Sequence, residues 1–336
     1  MANVKLYDFS SAPSEMRNFL LYMRTIKNSS INTVNGYYID LRTFFRYLKT
    51  SKLNLPASTP FDEIDISDIP LSWLQELSSA DIYDYLYFTT NDLNNSPKTR
   101  ARKLSSLKTF YNYLASKVQL IEKNPCINIE IPTLKKTLPK YLSLDESLEL
   151  LNNIESDFPE RDYCILTLFL NCGMRLSELV GINISDFKEN TIKILGKGDK
   201  ERLVYLNDSC LFAIDRYIAL RSQILSIKDK DALFISKKLG KRLSNRRVQQ
   251  IVADCLKSAG LDGKGYSPHK LRHTAATLMY RFGNVDMLAL KEILGHEHVT
   301  TTEIYTHISA EQLQKAVSSS PLSKVKIDTT KKKSTE

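Results

Sequence analysis

The chain has 336 residues, of which 42% are hydrophobic, and this is enough for two domains that each bury a core. No run approaches the roughly 18 uninterrupted apolar residues of a membrane span, and the N-terminus lacks a secretory signal, so we expect a cytoplasmic protein. The net charge of +9 suits a polyanionic partner without identifying one. The five cysteines form no CxxC pair, which indicates buried thiols rather than a disulfide or zinc framework.

Residues 1–123 are predicted to form an all-helical domain. Apolar residues at helical spacing indicate two helices within residues 14–49, and either Ser30 or Asn32 is placed to cap the second. A further amphipathic helix follows, with an apolar face made of Leu104, Leu107, Tyr111 and Leu114. Its other faces carry the basic residues Lys98, Arg100, Arg102, Lys103 and Lys108. These charges indicate either a surface that binds a polyanion or an ordinary solvated surface.

Two segments of unusual composition separate the predicted helices from a second domain. Residues 53–97 contain eight acidic residues and no Lys or Arg, so we expect them to face away from any polyanion. Residues 124–141 contain three prolines and no periodicity, which predicts an extended linker. Ser143 and Glu146 then form a capping box that opens the second domain, residues 142–317. The Lys-rich remainder, residues 318–336, is predicted to be disordered.

The second domain is predicted to be mainly helical with one small β-hairpin. Residues 191–195 and 202–206 are β-prone runs joined by the turn GKGDKE. Capping residues and glycines predict three further helices. The first begins at Ser244 and ends at Gly260, the second begins at Ser267 and ends at Gly283, and the third begins at Asp286 and ends at Gly295. A last helix is expected around residues 309–317.

All the histidines lie in one short stretch of the second domain, which indicates a site, because structural histidines scatter along a chain. They are His269, His273, His296, His298 and His307. The i,i+4 pair within HKLRH has the spacing of zinc ligands but lacks the Glu of the HExxH motif. Arg272, one turn from His269, would also repel a cation. We therefore expect no metal ion at this position.

Several basic side chains of the second domain suit a phosphate group instead. His269 and Arg272 share a face in the first turns of a helix, whose N-terminus favours anions. Arg175 follows a buried run, and Glu178 is spaced to hold its guanidinium, although a purely structural ion pair fits the same spacing. Lys197 lies at the hairpin tip between two glycines, where a lysine either reaches a bound phosphate or is simply solvated.

A histidine and a tyrosine close this set. The helix stop at Gly295 delivers His296, and Tyr305 follows nine residues later after a run of threonines. Spacing alone does not distinguish Tyr305 from an ordinary packing aromatic.

Taken together, these residues resemble the catalytic set of the tyrosine recombinases, the phage integrase family. The matching positions, in order, are Arg175, Lys197, His269, Arg272, His296 and Tyr305. The phrases GMRLSELVGI, LGKGDKERLVYL, SPHKLRHTAAT and LGHEHVTTTEIYTHI carry the resemblance around them. In the first domain, NTVNGYYIDLRTFFRYL and KTRARKLSSLKTFYNYL resemble the family's helical, SAM-like core-binding domain. The compact two-domain layout is most similar to Xer-type members.

Two features depart from the family pattern. Cys172 lies near Arg175, in a place where a hydroxyl residue is common, which raises the question of redox sensitivity. The acidic segment lengthens the first domain, and nothing in the sequence explains its function.

The resemblance implies a catalytic role for each matching residue. Tyr305 would be the nucleophile that attacks a DNA phosphodiester, and Arg175 and Arg272 would clamp the non-bridging oxygens. His269 would act as general base, with Glu178 holding Arg175 in place.

The last two residues of the set would complete the reaction. Lys197 would protonate the leaving 5′ oxygen, and His296 would donate a hydrogen bond to the phosphate. The product would be a 3′-phosphotyrosyl ester that retains the bond energy, so that rejoining needs neither ATP nor a metal ion.

The implied function is site-specific recombination of double-stranded DNA through a Holliday junction, by four protomers of one or two kinds. An Xer-like role in chromosome dimer resolution would link the protein to chromosome partition, cell division and the nucleoid. The alternatives are the integrase of a small mobile element, a type IB topoisomerase and a catalytically silent DNA-binding protein.

The resemblance also implies surfaces for DNA and for a neighbouring subunit. The basic helix from Lys98 to Lys108, together with Arg246 and Arg247, is expected to contact DNA. The C-terminal helix, Ala310 to Val317, is expected to dock on a neighbouring protomer.

Overall fold

The structure, a computed structural model, describes residues 5–56, 58–132, 140–195, 201–282, 285, 287–295, 314, 317–318 and 320–326. The chain divides into two compact units, Ala2–Thr137 and Leu138–Glu336. No helix within the described ranges is both long enough and apolar enough to cross a membrane. The mainly helical fold with one small sheet, predicted from the sequence, is confirmed.

The first unit is a bundle of helices around an aromatic core. Its helices are α1 (Ser14–Thr25), α2 (Ile31–Leu53), α3 (Leu71–Gln75), α4 (Ser79–Asn91) and α5 (Pro97–Ser116). The Ser30 side chain accepts a hydrogen bond from the Thr33 N–H, so Ser30 rather than Asn32 caps α2. The four apolar residues predicted for the buried face of α5 are all buried.

The acidic segment has a structural partner within the first unit. Residues 53–97 form α3 and α4. Carboxylates from the segments that flank α3 pair with basic side chains of α2. The ion pairs are Arg46–Asp62 at 2.9 Å, Lys49–Asp68 at 2.6 Å and Lys52–Glu76 at 2.8 Å. Each exposed pair contributes no more than about 1 kcal/mol. Together these pairs reduce the positive charge that α2 offers to a polyanion.

The expectation that Lys103 lies on the exposed basic face of α5 is wrong. Lys103 is buried, and its Nζ lies 3.8 Å from the carboxylate of Asp40 on α2. Burial lowers the pKa of Lys103, and the charge of Asp40 opposes that shift. Asp40 also accepts hydrogen bonds from Arg102 and Ser106. Lys98 and Arg102 are exposed, so the basic surface of α5 is narrower than predicted.

The beginning of the predicted linker belongs to the first unit's core. Cys126 and Ile129 are buried among the helices of that unit. The boundary between the units therefore falls late in the segment 124–141.

The second unit packs helices around a three-stranded antiparallel sheet. Its helices are α6 (Leu144–Asn152), α7 (Pro159–Cys172), α8 (Leu176–Gly181), α9 (Asp208–Arg221), α10 (Asn245–Ser258), α11 (Pro268–Phe282) and α12 (Met287–Leu294). The capping box of Ser143 and Glu146 is confirmed at the start of α6. The core is centred on α7, which packs against α9 and α11.

The sheet contains the predicted hairpin and one further strand. Its strands are β1 (Phe187–Lys188), β2 (Thr191–Leu195) and β3 (Glu201–Tyr205), in that spatial order. Ile192 of β2 lies opposite Val204 of β3, and both face the core. A strand as short as β1 has no alternation that a sequence pattern could reveal.

The prediction of disorder beyond residue 318 is wrong for residues 320–326. Leu322 is 0% exposed in the core of the second unit. The Ser209 N–H donates to the Ser323 carbonyl at 2.8 Å, and the Tyr163 hydroxyl donates to the Val325 carbonyl at 3.1 Å. Val317, expected on a face that docks on a neighbour, is instead buried against α11 and α12 of its own chain.

Leu322 should therefore contribute strongly to the stability of the second unit. We expect Leu322→Ala to lower its free energy of unfolding by about 2–5 kcal/mol, because the change leaves a cavity in a packed core. Urea denaturation of the full chain measures this. Leu225→Ala is the matched control, since Leu225 is fully exposed, and it should leave the transition unchanged. Equal midpoints for the two variants would contradict the packing of this segment.

Candidate active site

Gly173 brings Arg175 to the surface directly after the buried helix α7. Its φ of +58° ends the helix in a conformation that favours glycine. A Cβ at this position would lie 2.7 Å from Leu294 Cδ2, so the close approach of α12 also requires glycine. The chain can therefore turn at once, and Arg175 becomes the N-cap of α8.

Glu178 holds Arg175 by both its backbone and its side chain. The Arg175 N–H donates to Glu178 Oε2 at 2.7 Å, and Arg175 Nη1 donates to Oε1 at 2.7 Å. The carboxylate is only 2% exposed, whereas the Arg175 side chain is 32% exposed. The pair predicted from i,i+3 spacing is thus formed, and the Arg175 side chain remains partly exposed to solvent.

Arg272 comes from the first turns of α11 and joins the same cluster. Its Nη1 donates to the Gly173 carbonyl at 2.8 Å and lies 3.7 Å from Glu178 Oε2. Its Nη2 donates to the Leu294 carbonyl at 2.6 Å. The side chain is almost fully buried, so its position is fixed by the fold.

A third arginine, Arg202 of β3, was not identified from the sequence. Its Nη2 donates to Glu178 Oε2 at 3.0 Å, and its Nη1 donates to the Ile293 carbonyl. Strand alternation places Arg202 on the same face as the buried Val204, which is a signal that its side chain points inward.

The three arginines together bind three consecutive carbonyls at the end of α12. Arg202 binds Ile293, Arg272 binds Leu294, and Arg175 Nη2 binds Gly295 at 2.6 Å. A helix C-terminus has carbonyls without helical partners and a negative partial charge, and cations stabilise both. The end of α12 is therefore held to α8, α11 and β3 through arginine side chains.

The cluster has a surplus of positive charge. Three guanidinium groups surround the single carboxylate of Glu178, which leaves two positive charges that this cluster does not balance. Burial by itself would raise the pKa of Glu178, but the charge of Arg202 and the hydrogen bonds from Arg175 hold it below the ordinary value. Burial and the field of Arg175 lower the pKa of Arg272 to about 10, so Arg272 remains charged at neutral pH.

A cleft of about 520 Å³ opens beside this cluster in the second unit. It is lined by Met174, Arg175, Leu176, Gln249, Ser267, Pro268, His269 and Arg272. The cleft thus brings together three of the residues predicted from the sequence and adds Gln249 and Ser267, which were not. His269 is exposed on its wall, where its imidazole can form a hydrogen bond with a bound group. Two guanidinium groups and an imidazole around one cleft suit an oxyanion such as phosphate.

Three residues of the predicted catalytic set, Lys197, His296 and Tyr305, lie outside the described residues. Among the residues that are described, no three His, Cys, Asp or Glu side chains form a group that could hold a metal ion. The remaining predicted DNA contacts of this unit, Arg246 and Arg247, are exposed in the first turn of α10.

Cys172, the residue that departs from the family pattern, is buried behind Arg175. Its Sγ lies 3.6 Å from Sγ of Cys210, which is also buried. Burial raises the pKa of the Cys210 thiol well above its ordinary value, and so this cysteine is protonated at neutral pH. Neither thiol lines the cleft.

Two parts of the chain match known families. Residues 140–312 match the phage integrase family, and residues 16–117 match the N-terminal SAM-like domain of phage integrases. The chain is 51% identical over 311 residues to tyrosine recombinase XerC of Caldanaerobacter subterraneus subsp. tengcongensis, covering 93% of this chain and 88% of the relative. It is 35% identical over 317 residues to tyrosine recombinase XerC of Thermodesulfovibrio yellowstonii, covering 91% and 96%.

Solved structures share the fold at low sequence identity. The XerH site-specific recombinase bound to difH substrate, in a pre-cleavage complex, superposes with a TM-score of 0.62 at 23% identity, covering 95% of this chain and 91% of that one. A lambda integrase dimer bound to a COC′ core site gives a TM-score of 0.63 at 16% identity, covering 85% and 74%.

Glu178→Gln tests whether the buried carboxylate stabilises the arginine cluster. At pH 7 we expect the free energy of unfolding of the second unit to fall by about 3–5 kcal/mol, because three guanidinium groups lose their counter-charge. Since the folded pKa of Glu178 is depressed, its contribution is present above about pH 4.5 and is lost as the pH falls through the folded pKa. The difference between the two proteins should therefore narrow in acid.

Urea denaturation at several pH values measures that difference. Glu201→Gln is the matched control, because it removes the carboxylate of an exposed pair with Lys193 and should cost less than about 1 kcal/mol. A Glu178→Gln variant no less stable than the control would show that the cluster does not depend on this charge.

Proposed function

The chain belongs to the phage integrase family of tyrosine recombinases and is Xer-like, and we propose that it cleaves and rejoins a specific DNA site through a covalent bond to Tyr305. It is a DNA-binding enzyme of DNA recombination.

The observation that carries the proposal is the cleft with its paired arginines. Arg175 and Arg272 converge there on one side, fixed by Glu178, and His269 lies on the wall of the same cleft. Planar guanidinium groups bind the non-bridging oxygens of a phosphodiester in pairs. The surplus positive charge of the cluster would stabilise the additional negative charge of the transition state.

The chemistry follows from these positions and from the residues that the family motif supplies. The Tyr305 oxygen attacks the phosphorus, and the bond from phosphorus to the 5′ oxygen breaks. His269 accepts the phenol proton, Lys197 protonates the leaving 5′ oxygen, and His296 donates a hydrogen bond to the phosphate. The resulting 3′-phosphotyrosyl ester keeps the bond energy, so a 5′ hydroxyl of the same or a second duplex can attack it without ATP.

Strand exchange between two duplexes requires four protomers and proceeds through a Holliday junction. We propose that residues 310–316 dock on a neighbouring protomer. Val317 and Leu322 are buried in their own chain, so deletion of everything after residue 309 would disturb folding as well as assembly. Substitutions before Val317 would separate the two effects.

The Xer-like role is supported by the similarity to XerC relatives over nearly the whole chain. On this basis we propose that the protein resolves chromosome dimers in the cytoplasm, at the nucleoid, and so contributes to chromosome partition and cell division. A small mobile-element integrase is the second candidate. A neighbourhood of conjugation or phage genes would favour it.

Tyr305→Phe tests the covalent mechanism. The wild-type chain is incubated with fragmented DNA of its source organism, and covalent adducts are trapped by denaturant and sequenced to identify the target site. We expect Tyr305→Phe to bind the trapped duplex with unchanged Kd and to form no adduct. Tyr280→Phe is the matched control, because Tyr280 is an exposed tyrosine of the same unit, and it should form adducts normally.

This experiment, repeated with a supercoiled plasmid that carries the trapped site, separates the alternatives. Adducts that survive in Tyr305→Phe would refute the assignment of the nucleophile. Relaxation of supercoiled DNA without recombinant products would favour a type IB topoisomerase, and binding without any adduct would favour a silent DNA-binding protein.

Basic residues on α5 and α10 should determine how the affinity for DNA depends on salt. We propose that Lys98, Arg100, Arg102, Lys108, Arg246 and Arg247 contact the DNA backbone. Arg246→Gln combined with Arg247→Gln should make the negative slope of log K against log salt shallower by about 1–2. The reason is that fewer counterions are released from the DNA when two phosphate contacts are lost. Titrations of the trapped duplex at several salt concentrations measure this. Lys257→Gln, at the other end of α10, is the control, and a slope that matches it would exclude these contacts.

A further inference from the structure

Arg202 is a nearly buried charge that the proposed reaction does not use. Its side chain is 15% exposed, and its two terminal nitrogens bind Glu178 and the Ile293 carbonyl. Its Nε has no hydrogen-bond acceptor among the described residues. Arg202 does not line the cleft, so any effect on the reaction must pass through the groups that it binds.

The space around Arg202 is shaped to hold it in one place. A Cβ at Gly295 would lie 2.8 Å from Cδ and 2.9 Å from Nε of Arg202, so the arginine stem lies flat against residue 295. Gly295 also has a φ of +62°, which favours glycine. Gly295 is in turn the residue whose carbonyl binds Arg175.

Arg202 also completes the coordination of the Glu178 carboxylate. Arg175 Nη1 donates a hydrogen bond to Oε1, and Oε2 accepts hydrogen bonds from the Arg175 N–H and from Arg202 Nη2. Without Arg202, the carboxylate could rotate toward Arg272, which is 3.7 Å from Oε2. That movement would change the hydrogen bonding of both guanidinium groups in the cleft.

We propose that Arg202 is a positioning residue for recombination: it fixes the Glu178 carboxylate and the end of α12, and thereby sets Arg175 and Arg272 for the scissile phosphate. The inference rests on the proposed function of those two arginines. Arg202 is the second residue of β3 and lies five positions after Lys197 in the sequence.

Arg202→Met and Arg202→Lys are the variants that test this role. Methionine removes the charge and both hydrogen bonds, whereas lysine keeps the charge but has no planar fork to bridge Glu178 and Ile293. Arg242→Met is the matched control. Arg242 is a half-buried arginine that binds the carbonyls of Val180 and Ile182 at the end of α8 and has no contact with Glu178.

The assay uses the full chain and the duplex trapped by wild-type adducts. The Kd for DNA, the single-turnover rate of adduct formation at saturating DNA and the pH dependence of that rate are measured below the melting temperature of each variant. For Arg202→Met we expect a Kd close to wild type and a rate lower by about 100-fold, the loss typical of misplaced reacting groups.

The pH dependence separates positioning from a general loss of stability. Arg202 helps to keep the pKa of Glu178 low, so the carboxylate should become protonated at a higher pH in Arg202→Met. The fall of the rate in acid, the acid limb of the pH profile, should therefore begin at a higher pH. Arg202→Lys should restore the wild-type acid limb and only part of the rate. Arg242→Met should lose stability while keeping the wild-type rate and acid limb.

Two results would overturn the proposal, and they differ from each other. If the wild type forms Tyr305-dependent adducts and Arg202→Met matches Arg242→Met in rate and acid limb, the positioning role alone is wrong. If the wild type forms no such adduct, the proposed function fails and this inference fails with it.

Discussion

The buried carboxylate of Glu178 is the constraint on which the second unit depends. A carboxylate that is withdrawn from water must be paired, and here three arginines from α8, α11 and β3 supply the pairs. The same arginines bind the last carbonyls of α12, which would otherwise lack partners. This one carboxylate and its arginines therefore connect four elements, α8, β3, α11 and α12, and the cleft lies beside them.

The interactions that hold the fold of the second unit together also position the arginines of the candidate site. Arg175 and Arg272 each use N–H donors to hold the fold, and both side chains also line the cleft. Gly173 and Gly295 are the points where backbone and side chains approach too closely for any other residue. Changes that alter the cluster should therefore affect stability and reactivity together, and only measurements that separate binding, rate and pH dependence can assign a role.

Features that depend on neighbouring residues were predicted from the sequence, whereas contacts between distant elements were not. Helix caps such as Ser143, the hairpin and the spacing of Arg175 and Glu178 depend on neighbours a few residues away, and each was predicted correctly. Lys103 was misplaced because its partner Asp40 comes from another helix. The packing of Leu322 was missed because the Lys-rich composition of the tail conceals a few apolar residues that fit the core. The role of Arg202 could not be predicted because it depends on contacts with Ile293 and Gly295 at the end of α12.

The distribution of charge within each unit says more about DNA binding than the net charge of +9 does. In the first unit, carboxylates pair with three basic residues of α2, and Asp40 pairs with the buried Lys103, so the positive surface of α2 and of α5 is reduced. In the second unit, the cluster around Glu178 keeps two unbalanced positive charges next to a cleft of suitable size. Burial, followed by the charges of Arg175 and Arg202, lowers the pKa of Arg272, and an anion in the cleft would oppose that shift. The fold thus leaves unbalanced positive charge beside the cleft, and if the proposed site binds a phosphodiester, binding of the substrate should also stabilise the arginine cluster.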